Sequence, residues 1–358
     1  MSLSTLKSID RRSFLAALGA GTAALAASPL NAVADAAPKQ AGRNVKPIVG
    51  SWFEFQHHAT YEGVDWNPAM MRFTAADWQA KIEEIAEAGI QYLVLMATAL
   101  YYRSFYDSAI YPKWQMGCSD PLEAVLTAAD RCHIKFFIGA GFYGDWTSSA
   151  VITDPVAEKQ RLASLGELAE RYGHHESFYG WYWPDEAEVH PYFSSDFLHY
   201  VGLLSAEARR LKPKAPILIA PYGTNMAACD DDYVRQLDQL DVDIVAYQDE
   251  VGARKSHPSQ TPGFFERLRK AHDRAQKAKL WVDMEIFQFE GSTYNSALVP
   301  APFSRVQQQI EAVAPFVDEI LVYQYLGMMN KPGSKVIAGN ADSVQLYTDY
   351  TNWRKTFR

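Results

Sequence analysis

From Lys46 onward the chain alternates short β-rich runs with longer segments of helical period, and it does so eight times. The strand-like runs are 47–55, 91–98, 134–142, 178–186, 216–222, 242–249, 280–287 and 319–326. Most are near-continuous apolar stretches, the pattern of parallel strands covered on both faces. The segments between them carry helix signals. Thr74-x-x-Asp77 reads as a capping box, with Trp78, Ile82 and Ile85 on one face and Gly89 as the stop. Asp120-Pro121 and Asp154-Pro155 read as N-cap followed by Pro at the first helical position. Ser304-x-x-Gln307 reads as the cap of a seventh helix carrying Val306, Ile310 and Val313. An eighth is expected near 341–357. Eight βα units close a parallel barrel, so the expected fold is α/β, a (β/α)8 TIM barrel of a single domain. An open doubly wound sheet would call for a Gly-rich phosphate loop after the first strand, and none is present.

The N-terminus carries a different signal. Ser8-Ile9-Asp10-Arg11-Arg12-Ser13-Phe14-Leu15 resembles the twin-arginine export consensus. The apolar run that follows is too short and too rich in Ala and Gly to span a bilayer, and Ala32-Val33-Ala34 offers a cleavage site. The expected organisation is a signal peptide over 1–34, a linker over 35–45 and the barrel over 46–358. The expected location is periplasmic or secreted, with the twin-arginine machinery as a transient partner and no stable membrane insertion after cleavage. The full chain has a formal net charge of −8. Removing Lys7, Asp10, Arg11 and Arg12 makes the remainder more acidic still, which argues against nucleic acid as a partner. The three cysteines, Cys118, Cys132 and Cys229, are too scattered for a zinc site or a disulfide framework.

A parallel barrel does its chemistry at the C-terminal ends of its strands, and that rule sorts the polar residues. His174 and His175 precede the fourth strand and so fall on the opposite face, where a solvated loop is expected. Glu54, His57, His58, Asp185, Glu186, Asp249, Asp283 and Glu285 lie at or just beyond strand ends. The loops over 101–119 and 288–303 are long enough to wall a cleft. Trp146, Trp183, Tyr222, Tyr247 and Tyr325 add aromatic faces near the same rim, suited to stacking on sugar rings. Glu186 and Glu285 end strands four and seven, which converge over the barrel centre. Two carboxyl groups there would sit about 5 Å apart, the spacing of a retaining glycosidase. Unequal burial would push their protonation apart, leaving one acid and one base. Asp283 shares the parity of Glu285, and Asp249 is a third candidate.

The segments Gly180-Trp-Tyr-Trp-Pro-Asp-Glu186, Asp243-Ile-Val-Ala-Tyr-Gln-Asp249-Glu-Val-Gly252 and Tyr323-Gln-Tyr-Leu-Gly-Met resemble those of a bacterial family of glycoside-hydrolase-like barrels of largely undefined function. More broadly the chain is similar to the clan of retaining glycoside hydrolases with carboxylates on strands four and seven. That resemblance implies Glu186 as general acid/base and Glu285 as nucleophile, in an enzyme that cleaves the O-glycosyl bonds of a poly- or oligosaccharide. It puts Asp185 where the clan places an Asn that bonds the sugar 2-hydroxyl, and Tyr323 and Tyr325 where it places a Trp. The expected substrate contacts are Glu54, His57, Trp146, Trp183, Asp185, Tyr222, Tyr247, Asp249, Asp283 and Tyr325, with no cofactor and no metal. Two other readings stand beside this one. A metal-dependent sugar isomerase or lyase would use Glu54, His57, Asp249 and Glu285. A non-catalytic glycan-binding barrel would keep the rim and lose the chemistry.

Overall fold

The computed structural model describes residues 45–357; the expected export segment, and the linker up to residue 44, lie outside the described residues. The eight barrel strands are β1 (Gly50–Phe53), β2 (Tyr92–Leu95), β3 (Lys135–Gly139), β4 (Phe178–Tyr182), β5 (Ile217–Ile219), β6 (Ile244–Gln248), β7 (Lys279–Glu285) and β8 (Glu319–Tyr323). Each pairs in parallel with its sequence neighbours, and β1 pairs with β8 to close the barrel. Outside them run α1 (Ala75–Glu87), α2 (Pro121–Cys132), α3 (Pro155–Tyr172), α4 (Ser195–Leu211), α5 (Asp231–Gln239), α6 (Thr261–Ala275), α7 (Phe303–Val313) and α8 (Asp342–Arg354). The fold is a (β/α)8 barrel, and each expected strand run overlaps one barrel strand.

The helix starts follow local chemistry. Thr74 and Asp77 form a reciprocal capping box on α1, and Asp120 and Asp154 cap α2 and α3 ahead of a Pro. The Ser304 cap does not form: α7 begins two residues earlier than that cap would start it, at Phe303, with Pro302 in the cap position and no side-chain cap. Arg305, in the first turn of α7, instead donates back to the carbonyls of Glu285 and Phe287. All three cysteines are free thiols. Among the described residues no helix is long and apolar enough to cross a membrane.

Ring contacts between non-adjacent strands show which side chains fill the barrel. Trp281 of β7 packs on Tyr92 of β2 at 5.1 Å and on Phe137 of β3 at 6.0 Å. Such contacts can only be made across the interior. Nearer the mouth, Trp52 of β1 meets Tyr182 of β4 edge-on at 5.9 Å. The pairing of β3 with β4 is irregular at Phe136 and Phe137. Gly180 sits just beyond that shift, and a Cβ there would come within 2.6 Å of the Phe137 ring. A larger residue would push that ring out of the interior layer.

Candidate active site

The interior contacts decide which strand-end residues reach the mouth, because side chains alternate along a strand. On β4 Tyr182 points inward, and Glu186 follows four residues later. The Tyr182 hydroxyl donates to Glu186 Oε1 at 3.1 Å. From β6, Gln248 Nε2 donates to Glu186 Oε2 at 2.8 Å. Both carboxyl oxygens of this half-buried residue are thus held by directional donors. The opposite parity of β4 carries Trp183 and Asp185 into the helix layer. Trp183 stacks on Trp181 and donates its indole N–H to Ser205 of α4 at 3.2 Å. Asp185 pairs with Arg161 of α3 at 3.1 Å, both side chains 1% exposed. Arg161 also donates to the Val151 carbonyl and lies over the Tyr200 ring. The expectation that Trp183 and Asp185 face substrate is therefore corrected: parity and the Arg161 charge turn them away from the cleft.

The same division holds on β6. Gln248 faces inward, in register with Asp283 of β7. Tyr247 faces outward, with its hydroxyl bonded to Tyr233 at 2.6 Å and to His272 at 3.1 Å. Asp249 shares its parity. It accepts from Gln309 of α7 at 2.7 Å, from the Glu285 N–H at 3.0 Å and from the Val251 N–H at 3.3 Å. Burial pushes its carboxyl up to about 6 even though those donors oppose the shift. Tyr247 and Asp249 thus brace the barrel wall from outside, contrary to expectation.

Trp281, Asp283 and Glu285 alternate along β7 on the inward side. Glu285 is buried and accepts the Ala253 N–H from the loop after β6 at 2.6 Å. That loop can close over it because residue 252 is Gly. A Cβ there would stand 2.9 Å from the Glu285 Cβ. Asp283 lies deeper. Burial, followed by the charges of Glu186 and Asp283, holds the Tyr182 hydroxyl well above its ordinary value, so Tyr182 remains a donor.

Across the mouth, β1 and β8 build a second cluster. Glu54 accepts from the Trp66 indole at 3.0 Å, from the Gln324 amide and from His57 Nδ1 at 3.0 Å. His57 Nε2 meets Glu62 at 3.1 Å. Burial opposes charge on His57, but Glu54 and Glu62 outweigh it and raise the imidazole to about 9. Burial likewise pushes Glu54 up, yet the His57 charge and the hydrogen bonds from His57 and Gln324 hold it below its ordinary value. The Tyr323 hydroxyl lies 3.1 Å from His57 Nδ1. Tyr323 is in register with Glu285, which joins the two clusters through β8. Trp146 packs edge-on to His58 at 5.2 Å, and Tyr222 lies half-buried under the Lys255 ammonium at 5.0 Å. Tyr325 leaves the mouth: its hydroxyl donates to Glu84 of α1 at 2.7 Å, between the barrel and its helices.

The four residues of the metal-isomerase reading do not converge, because Asp249 faces the helices. Glu54, His57 and His58 do offer ligand atoms within 4.8 Å of one another. His57 sits between two carboxylates, its Nδ1 toward Glu54 and its Nε2 toward Glu62. The residues that sequence reasoning missed are Tyr182, Gln248, Gln324, Glu62 and Trp66. The alternation Gly180, Tyr182, Glu186 and the pair Ala246, Gln248 were signals for the first two. Gln324 directly follows β8 within the expected eighth strand run, whereas nothing local signals Glu62 and Trp66, which come from the segment after β1.

A family model described as a domain of unknown function (DUF4434) matches residues 48–336. No curated protein sequence matches the chain. Several solved structures are similar in fold. One is a provisionally named alpha-L-fucosidase from Bacteroides thetaiotaomicron VPI-5482. It is 15% identical with a TM-score of 0.68, over 91% of this chain and 99% of that one. A beta-galactosidase from the psychrophilic Marinomonas ef1 is 10% identical with a TM-score of 0.57, over 87% of this chain and 60% of its own. A glycoside hydrolase family 5 mannosidase from Rhizomucor miehei is 12% identical with a TM-score of 0.51, over 86% and 94%. At these identities the likeness is one of fold.

Proposed function

The chain belongs to the DUF4434 family, and from that premise we propose that it is a glycoside hydrolase acting on a poly- or oligosaccharide, with Glu186 as general acid/base and Glu285 as nucleophile. The observation that carries this reading is that both glutamates leave β4 and β7 on the inward side of one rim, each gripped by donors from neighbouring elements. Glu285 is buried, its carboxyl accepts the Ala253 N–H, and its backbone carbonyl accepts from the Arg305 guanidinium of α7. Such a group can attack an anomeric carbon. Glu186 is more open to solvent, and Tyr182 and Gln248 aim it without blocking its access to protons.

In a two-step displacement Glu186 donates a proton to the glycosidic oxygen as Glu285 forms the glycosyl-enzyme bond. Glu186 then takes a proton from the water that hydrolyses that bond. Asp283, below Glu285 on β7, and Glu54, in the β1–β8 cluster, line the mouth. Trp146 and Tyr222 supply ring faces of the cleft wall, and His57 holds Glu54 in place. The sugar-cleaving names of the structures with the same fold support the class without reaching the substrate. Export by the twin-arginine route would place the enzyme where polysaccharides are met.

A screen of glycans against wild type, Glu186→Gln and Glu285→Gln tests the assignment. Loss of roughly 100-fold or more in kcat for each variant is expected. Turnover within about tenfold of wild type in both would refute the pair, since acid–base catalysis alone is worth more than that. Activity abolished by EDTA and restored by Mn²⁺ would overturn the hydrolase reading in favour of a metal-dependent one. Glycan binding with no turnover across the panel would favour a binding barrel.

A further inference from the structure

Away from the mouth, the loop leading into β4 holds a second constellation, which the proposed chemistry does not use. Glu123, Thr127 and Asp130 fall on one face of α2, at the spacing that brings helix residues into line. That face meets His174 and His175. His175 Nδ1 lies 2.6 Å from Asp130 Oδ2, and His175 Nε2 lies 3.2 Å from Glu123 Oε2. Asp130 is itself anchored, accepting the Ser177 N–H at 2.7 Å through its other oxygen. Thr127 donates to Glu123 Oε1 at 3.2 Å, leaving Oε2 turned toward the histidines. The two imidazoles lie with centroids 4.2 Å apart, and one ligand atom each from Glu123, His174 and His175 falls within 4.8 Å of the others.

We propose that Glu123, His174 and His175 form a zinc site that ties α2 to the loop before β4. A carboxylate accepting from one nitrogen of a histidine leaves the other nitrogen's lone pair for a metal and fixes the ring. Asp130 plays that part for His175. The gap between His175 Nε2 and Glu123 Oε2 matches the edge of a tetrahedron whose bonds are about 2.0 Å, the length zinc makes to imidazole and carboxylate. Water completes the fourth position from the solvent side, where His174 is exposed. The ion holds two elements of the barrel wall together and takes no part at the rim.

The test uses the full chain without a histidine tag, stripped with EDTA and titrated with ZnCl₂ by calorimetry. Co²⁺ absorption reports the coordination geometry. One Zn²⁺ per chain is expected, with a tetrahedral Co²⁺ spectrum and a raised Tm. His174→Ala, an exposed position that leaves the fold intact, and Glu123→Gln should each weaken binding roughly tenfold or more. Absence of saturable binding would overturn the proposal and leave a histidine–carboxylate bridge. Binding unchanged in both variants would also overturn it, by placing the ion elsewhere.

Discussion

Replacing Asp185 with Ala would strand the Arg161 guanidinium in the layer between α3 and the barrel. Both side chains of the pair are 1% exposed, so solvent screens the 3.1 Å contact little. Removing one partner of such a pair costs about 3–5 kcal/mol, because the remaining charge stays buried without compensation. The Val151 carbonyl and the Tyr200 ring hold Arg161 in place rather than letting it escape to water. An unfolding entropy of about 2.1 cal/mol/K per residue makes each kcal/mol worth about 1.5 °C in a barrel of this size. The expected fall in Tm is therefore about 5–8 °C. Urea denaturation of wild type and Asp185→Ala, followed by tryptophan fluorescence, measures the free energy directly. Replacing both partners with apolar residues, Asp185→Leu with Arg161→Met, should recover most of the loss. Activity separates this account from a substrate role. Asp185→Ala assayed well below its Tm should keep the wild-type KM. A variant with unchanged stability and a raised KM would refute the placement of Asp185 in the helix layer.

Three further outcomes follow from the same geometry. Gln248→Leu removes one donor from Glu186 while leaving the carboxyl in place, so kcat should drop about tenfold with little change in KM, read by steady-state kinetics. The buried His57, raised to about 9, stabilises the fold fully below its unfolded value near 6.5. That stability, about 3 kcal/mol, is lost as pH rises through about 9. Denaturation between pH 6 and 10 should show the decline in wild type, and His57→Gln should flatten it. Trp183→Phe forfeits one buried hydrogen bond to Ser205, which should cost about 1 kcal/mol by denaturant titration and leave glycan affinity unchanged.

The barrel was legible because parallel strands buried on both faces read as apolar runs, and eight of them with helical segments between admit few arrangements. Caps such as Thr74 and Asp154 were legible for the same local reason. The site was legible only as a rim. Whether a strand-end residue faces the mouth depends on parity counted from an interior contact, and the irregular pairing beside Gly180 makes that count uncertain on β4 from sequence alone. Asp185 and Trp183 were misplaced for that reason. Tyr325 was lost differently, since the chain turns outward after Tyr323 and sends the next tyrosine to Glu84. The Arg161–Asp185 pair and the Glu54–His57–Glu62 chain join residues whose proximity is set by tertiary packing. His174 and His175 stand before β4, away from the mouth, as expected, but His175 is buried rather than solvated, and their sequence neighbours gave no hint that Glu123 and Asp130 stand against them.

NMR of the first product formed from a cleaved substrate reports whether Glu186 and Glu285 carry out a double displacement on a glycan. The anomeric configuration of the substrate should be retained in that product before mutarotation sets in. Inversion would contradict the nucleophilic role of Glu285.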